Sequence, residues 1–393
     1  MWVKKRHRVT FEIVRPFLKL YFRMFYKCKI KTHKLPKEGS IIISNHSTTM
    51  DPFLIGTSFN KQLYYMVSVD LLEHKVIGKL FKFFVNPIPK AKSNKNDIEA
   101  IKACIKVAKE NGNICIFPEG NRTFSGKLGN IDYSIVKLIK KLKKPLILCN
   151  IIGGYPTDPR WSNKLRKGKM EVKIKNTYSV EEIEKMDNDE LYQIILDNLT
   201  VDDYHLGVKF KGKNKAEDLE RILYICPVCH QKNTIYTKGD SIFCSSCGLE
   251  VKYNEDVTLS SSNDSFSFKY VSQWYDYQIE EVKNSKIEDE LIYQDEIEVY
   301  APRLYKSKEL IGKGKMSLYK NRFVFNLEDK ELIFPFSKID GITLLGKKKM
   351  NIYYEGKTYQ VYKDRKTNLL ESMHMYYILK NKEEGVEDGF IGI

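Results

Sequence analysis

His46 and Asp51 stand five positions apart in the run Ser44-Asn45-His46-Ser47-Thr48-Thr49-Met50-Asp51-Pro52. An imidazole with one nitrogen held by a carboxylate keeps its other nitrogen free to take a proton from a hydroxyl, which is the work of a general base. Five residues of regular helix turn through about 500° and would part the two side chains, so the pairing requires the turn before a helix that starts near Pro52. The same residues also fit an aspartate N-cap followed by proline and a hydrogen-bonded turn histidine. About seventy residues on, Phe117-Pro118-Glu119-Gly120-Asn121-Arg122-Thr123-Phe124-Ser125-Gly126 exposes an acid, an arginine and two hydroxyls on a sharp turn. Arg122 can grip a phosphate bidentately, with backbone N–H groups around Gly120 helping; the alternative is an ordinary turn with a surface ion pair. A third group is Cys226, Cys229, Cys244 and Cys247, two C-x2-C pairs separated by fourteen residues. Four thiolates at this spacing fill a tetrahedral Zn2+ shell and leave no open position, which makes the metal structural. Disulfides are the other reading, and the lack of a recognisable secretion signal favours reduced thiols. Cys28, Cys104, Cys115 and Cys149 lie among apolar neighbours as small core residues, where thiolate formation is disfavoured.

The elements that must position these groups are legible as a pattern. Continuous apolar runs at Ser40–Ser44, Leu63–Ser68, Asn113–Phe117 and Pro145–Ile152 predict buried strands, and Asp97–Asn111 and Ile135–Lys141 have helical spacing. Such alternation predicts an α/β domain with its sheet flanked by helices on both faces. Val180–Asn198 reads as helical. The ribbon occupies 222–253, and Phe266–Val282 reads as a helix. Short alternating segments follow at Glu298–Arg303, Lys315–Tyr319, Arg322–Asn326, Leu332–Pro335, Ile339–Leu345, Met350–Tyr354 and Thr358–Tyr362, with a closing helix at Thr367–Leu379. They predict a small β-barrel or sandwich with a C-terminal helix, by architectural analogy like a pleckstrin-homology or GRAM module.

Charge divides the chain. Residues 1–180 hold 36 Lys and Arg against 12 Asp and Glu, a charge of +24; residues 181–393 hold 30 against 38, a charge of −8. A field of that size implies an anionic partner. No run of 18 apolar residues exists, which excludes a conventional spanning helix. From Phe11 to Cys28 the cations Arg15, Lys19, Arg23 and Lys27 recur along one helical face, with Phe11, Val14, Leu18, Phe22 and Phe25 on another. That is the character of a helix lying in a headgroup layer, and equally of an amphipathic helix docked on its own domain.

Taken together, H-x4-D after a strand and F-P-E-G-x-R-[ST] about seventy residues later resemble the paired motifs of the glycerolipid acyltransferase family. NHSTTMD and FPEGNRTFSG are similar to the blocks of bacterial 1-acylglycerol-3-phosphate acyltransferases. The resemblance covers about residues 20–200. It implies that His46 is the general base on the acceptor hydroxyl and Asp51 its orienting partner. It also implies that Glu119, Gly120, Arg122 and Thr123 form the glycerol-phosphate site, with Arg122 on the phosphate. Lys90 stands where the family usually has an arginine, keeping the charge and losing the fork. Lys144-Pro145-Leu146-Ile147 resembles a block that helps to form the acyl-chain tunnel.

The resulting expectation is an acyltransferase that moves a fatty acyl group from acyl-CoA or acyl carrier protein to a lysophospholipid hydroxyl, with a structural Zn2+ and no catalytic metal. A thioester carbonyl is already activated, so one base with a reference pKa near ~6.5 suffices. The expected setting is peripheral, on the cytoplasmic face of the cell membrane, with the anionic surface as a partner and the ribbon free to dock a protein. The expected divisions are an amphipathic helix at 1–30, the acyltransferase domain at 31–205, a linker at 206–221, the ribbon at 222–253, a linker and helix at 254–290 and the β-rich module at 291–393. Two other classes compete. A zinc-ribbon nucleic-acid binder is disfavoured because the positive charge lies with the histidine and arginine motifs and not on the ribbon. An inert lipid-binding scaffold is disfavoured because His46, Asp51, Glu119 and Arg122 are all present.

Overall fold

The computed structural model describes residues 1–68, 72, 77–90, 98–285, 291–302, 308–363 and 369–385. Asp97, Arg303 and Thr367, which bound three of the expected elements, lie outside the described residues. The chain forms two compact units, Met1–Arg160 with Leu165–Gly212, and Trp161–Lys164 with Lys213–Ile393.

The first unit runs α1 (Lys5–Phe25), β1 (Ile41–Ser44), α2 (Asp51–Thr57), β2 (Leu63–Ser68), α3 (Ile77–Phe84), β3 (Ile88–Lys90), α4 (Ile98–Lys109), β4 (Asn113–Ile116), α5 (Ser134–Leu142), β5 (Leu146–Ile152), α6 (Gly154–Thr157), β6 (Glu171–Tyr178), α7 (Val180–Lys185) and α8 (Asn188–Leu199). Its sheet has the order β3-β2-β4-β1-β5-β6. All pairings are parallel except β5 with β6. Parallel neighbours need crossovers, so both faces of the sheet are covered and the strands read as unbroken apolar runs. Side chains alternate between the faces. Ile41, Ile43, Ile114, Ile116, Leu146 and Leu148 go to a core with α4, α5 and α8, and Ile42, Cys115, Ile147, Cys149 and Ile151 go to a second core with α1 and α2. Fully burying each such side chain stabilises by about 1.5–3 kcal/mol. Cys115 and Cys149 are therefore packing residues, and burial pushes the Cys149 thiol up to about 12.

Helix α1 is docked and outward-facing at once. Phe22 and His7 are buried inward, and the backbone N–H groups of Trp2 and Val3 donate to the Glu110 carboxylate at 2.7 Å. Arg15 and Lys19 of the cationic face bond Thr32. The opposite face exposes Ile13, Phe17, Leu20 and Met24, a stripe at three- and four-residue spacing. The apolar face read from the sequence docks through Phe22, while its Val14 and Phe25 stay exposed.

The second unit begins with β7 (Ile235–Lys238), β8 (Ser241–Cys244), β9 (Glu250–Tyr253) and β10 (Leu259–Ser260), in the order β10-β9-β8-β7. Helix α9 (Val271–Asn284) follows, then β11 (Tyr293–Ala301), β12 (Glu309–Leu318), β13 (Arg322–Leu327), β14 (Glu331–Pro335), β15 (Ile339–Leu345), β16 (Lys349–Tyr354), β17 (Lys357–Tyr362) and α10 (Leu369–Glu384). The seven long strands form one antiparallel sheet in the order β14-β13-β12-β11-β17-β16-β15. Glu355 and Gly356 both have positive φ, 47° and 72°, which the two-residue β16–β17 hairpin demands. Leu369 to Leu379 of α10 are buried on every side. Helix α9 fastens the ribbon, since Trp274 Nε1 donates to Ile225 O and Gln278 bonds both Tyr224 N and Ile222 O. His374 of α10 sits between the hydroxyls of Tyr224 and Tyr275 at 3.0 and 2.8 Å, and burial pushes its pKa down to about 3, so the fold holds a neutral imidazole.

Candidate active site

Three central strands of the parallel sheet, β1, β4 and β5, end on one edge, and the loops that leave them carry the polar motifs. The carboxyl edge of such a sheet is where ligands bind, because crossovers diverge there and leave a crevice. Asn45 starts the first loop and locks it to β5, its Nδ2 donating to Ile151 O at 3.0 Å and its Oδ1 accepting from Ile151 N at 2.8 Å.

His46 Nδ1 lies 2.8 Å from Asp51 Oδ2. The turn Ser47–Met50 brings them together, and Asp51 is the first residue of α2 with Pro52 behind it. Asp51 is fully buried and also accepts from Ser47 N (2.6 Å), Thr48 N (2.8 Å) and Thr48 Oγ1 (2.6 Å). A carboxylate with three other donors aimed at it is an acceptor, so the proton of the shared bond sits on His46 Nδ1 and the lone pair on Nε2. Phe117 stacks on the imidazole with centroids 4.5 Å apart and planes 25° apart. The ring keeps partial exposure, 19% for the side chain, which leaves Nε2 a route to a ligand.

The second loop is tied to the first. Glu119 Oε1 accepts from His46 N at 2.6 Å, and its Oε2 accepts from Gly129 N at 2.8 Å. Thr123 N donates to His46 O at 3.0 Å, and Thr123 Oγ1 accepts from Gly126 N. Glu119 and Thr123 thus use these polar atoms to tie the loops together at the site. Burial pushes the Glu119 carboxyl up to about 8 against the pull of its two N–H donors. Gly120 holds φ +70° with open space where a side chain would stand, so the turn needs its backbone freedom and not its smallness. Arg122 is half-buried; burial lowers its pKa while Asp158 and Asp51 pull it back up. No described side chain hydrogen-bonds its guanidinium, whereas its carbonyl accepts from Arg160 at 2.9 Å. Lys90 is exposed at the carboxyl end of β3, three strands from β1 and so roughly 14 Å along the same edge at ~4.8 Å per strand.

A cleft beside His46 is lined by Asn45, Ser47, Glu119, Thr123, Gly126, Lys127, Leu128, Tyr155, Leu199, Val201 and Asp203. The sequence reading singled out none of Asn45, Lys127 or Asp203. Asn45 lies inside the motif, where an asparagine beside a histidine carries no signal of its own. Among the described residues Asp203 accepts from the backbone N–H groups of Gly153 and Tyr155, and such partners leave no spacing pattern. Burial pushes the Asp203 carboxyl up to about 7.

Residues 27–152 match the family model described as Acyltransferase. The match lies within the N-terminal unit, whose sequence is acyltransferase-like. The chain is 20% identical over 183 residues to a protein described as a probable 1-acyl-sn-glycerol-3-phosphate acyltransferase of Mycoplasma pneumoniae, covering 45% of this chain and 66% of that protein's length. Among solved structures it is similar to the 1-acyl-sn-glycerophosphate (LPA) acyltransferase PlsC of Thermotoga maritima, with 18% identity, a TM-score of 0.39, and coverage of 48% of this chain and 76% of that one. The N-terminal PH domain of human ARAP2 is also similar, at 15% identity and a TM-score of 0.21, covering 27% of this chain and 91% of that domain.

In the second unit, Cys226, Cys229, Cys244 and Cys247 place their four Sγ atoms within 4.8 Å of one another. The pairs Cys226–Cys247 and Cys229–Cys244 are 3.7 Å apart, too far for a disulfide at ~2.05 Å. A tetrahedron with metal–sulfur bonds of ~2.3 Å has sulfurs ~3.8 Å apart, so the thiols fit a metal such as zinc. Matching backbone bonds shape the two knuckles, His230 N to Cys226 O at 2.9 Å and Gly248 N to Cys244 O at 3.1 Å. Elemental analysis of the purified chain should find one tightly held divalent ion, lost in Cys229→Ser together with part of the β7–β9 amide protection from hydrogen exchange. Retention of the ion by that variant would remove these thiols as its ligands.

Proposed function

We propose that this chain transfers a fatty acyl group from an acyl-CoA or acyl carrier protein thioester to the hydroxyl of 1-acylglycerol-3-phosphate or a related lysophospholipid. The observation that carries the reading is the His46–Asp51 pair, joined through Nδ1 in a partly exposed ring that lines a cleft. The acceptor hydroxyl gives its proton to Nε2 as its oxygen attacks the thioester carbonyl. The tetrahedral intermediate then collapses, the C–S bond breaks, and the thiolate leaves as the proton on His46 passes to it. Asp51 holds the imidazole in the base-competent tautomer and favours the imidazolium that forms. Arg122, half-buried and with no side-chain hydrogen bond to its guanidinium among the described residues, supplies the phosphate contact, and Lys90 adds charge from farther along the edge. Asp51→Asn should lower kcat for acyl transfer to lysophosphatidate by roughly 10²–10⁴-fold with little change in KM. Arg122→Ala should raise KM for the phosphorylated acceptor about tenfold or more and leave KM for the donor alone. Wild-type rates in Asp51→Asn would sink the assignment of His46 as base.

We place the enzyme peripherally on the anionic cytoplasmic face of the cell membrane. The exposed Ile13, Phe17, Leu20 and Met24 of α1 and Leu80, Phe83 and Phe84 of α3 offer an apolar surface, in a half of the chain charged +24. No helix of the described residues is long and apolar enough to cross a membrane. The strand order and closing helix of the second unit support a pleckstrin-homology-like module, which with the ribbon would serve docking. The double variant Phe17→Ser/Leu20→Ser should partition onto vesicles containing phosphatidylserine at least tenfold more weakly than wild type, given ~1.5 kcal/mol or more per buried side chain. Equal partitioning of the two proteins would exclude this face as the contact.

A further inference from the structure

We propose that Asp203 is a positioning residue of the acyl-transfer site, fixing both motif loops at once through the turn that ends β5. Asp203 lies beyond the matched residues 27–152, in a stretch that contains no recognisable motif. It is buried, and each carboxylate oxygen takes one backbone N–H of the turn, Gly153 N at 2.7 Å and Tyr155 N at 3.1 Å. That turn touches the first loop through Gly154. A Cβ there would stand 2.2 Å from the Ser47 Oγ, and Ser47 is the residue after His46, with its N–H on Asp51. The same turn touches the second loop through Tyr155. Its hydroxyl donates to Phe124 O at 3.1 Å, and its ring lies 2.7 Å from where a Cβ on Gly126 would be. Ser47 and Gly126 therefore rest on one brace, and the brace is held by Asp203. Asp203 and His46 also line the same cleft, so a shift of the turn moves a wall of the site along with the base.

The inference rests on the acyltransferase reading for its rate measurement but has a second readout that does not. In full-length protein labelled with 15N-histidine, the Nδ1–H resonance of His46 is assigned by its absence from His46→Ala. Asp203→Asn places an amide N–H against a backbone N–H and loosens the turn. It should shift or broaden the His46 resonance and lower kcat at least tenfold, with KM for both substrates within twofold. Gly154→Ala, which presses on Ser47 with Asp203 intact, should do the same and stands in if Asp203→Asn fails to fold. A folded Asp203→Asn protein with an unchanged His46 resonance and unchanged kcat, whatever its melting temperature, would overturn the proposal. A wild type without acyl transfer would count against the acyltransferase reading alone, because the resonance would still report on positioning.

Discussion

The Glu119 carboxylate joins two loops that are 73 residues apart in sequence, taking the His46 N–H on one oxygen and the Gly129 N–H on the other. A buried carboxyl is costly unless its acceptor capacity is used, and here each oxygen accepts a backbone N–H. The bond fixes where His46 enters its turn. From there the Ser47 and Thr48 amides reach Asp51, and Asp51 sets the ring. Disturbing Glu119, only 4% exposed, would therefore act on the His46 ring through the backbone.

The sheet makes that convergence possible. Strands β4, β1 and β5 are hydrogen-bonded neighbours, so their carboxyl ends, and the loops that leave them, are about 5 Å apart laterally. The alternation of IIIS, NICI and LILCNII between two cores anchors each strand against slippage, since a one-residue shift would exchange every side chain between helix layers. Loop chemistry is thus held by a framework with little freedom to drift. The glycines at 120 and 154 serve it in different ways, one through its positive φ and the other through close approach to Ser47.

Much of this was legible in the sequence. Leu63–Ser68 and Ile339–Leu345 span the residues read from the pattern, and the seven C-terminal segments form one sheet closed by a helix. The His46–Asp51 pairing was readable as a requirement, because a helix could not bring the residues together and the preceding turn could. What escaped had no local code. Helix α3 and strand β6 went unread, the first because its phenylalanines face outward and the second because a half-exposed edge strand rich in lysine looks like loop. Whether the Phe22 face of α1 docks or lies outward was left open by the sequence, because amphipathicity alone does not say which apolar stripe finds a partner; Phe22 found the core, and Phe17, on a stripe the pattern did not single out, did not. Asp203 was invisible because its partners are backbone amides.

In the second unit, a four-cysteine cluster, a helix bonded beside it and a seven-stranded sheet followed by a largely buried helix make one compact body, and nothing in the chemistry of acyl transfer calls for it. The central claim concerns the first unit, that His46 is the base for direct acyl transfer at this cleft. It is tested most directly by offering acyl-CoA and acyl carrier protein donors to lysophosphatidate, other lysophospholipids and glycerol 3-phosphate in detergent micelles, with purified wild type and His46→Ala side by side. The account predicts product from wild type with at least one pair and none above background from a folded His46→Ala protein. Product formed at similar rates by both proteins would contradict it.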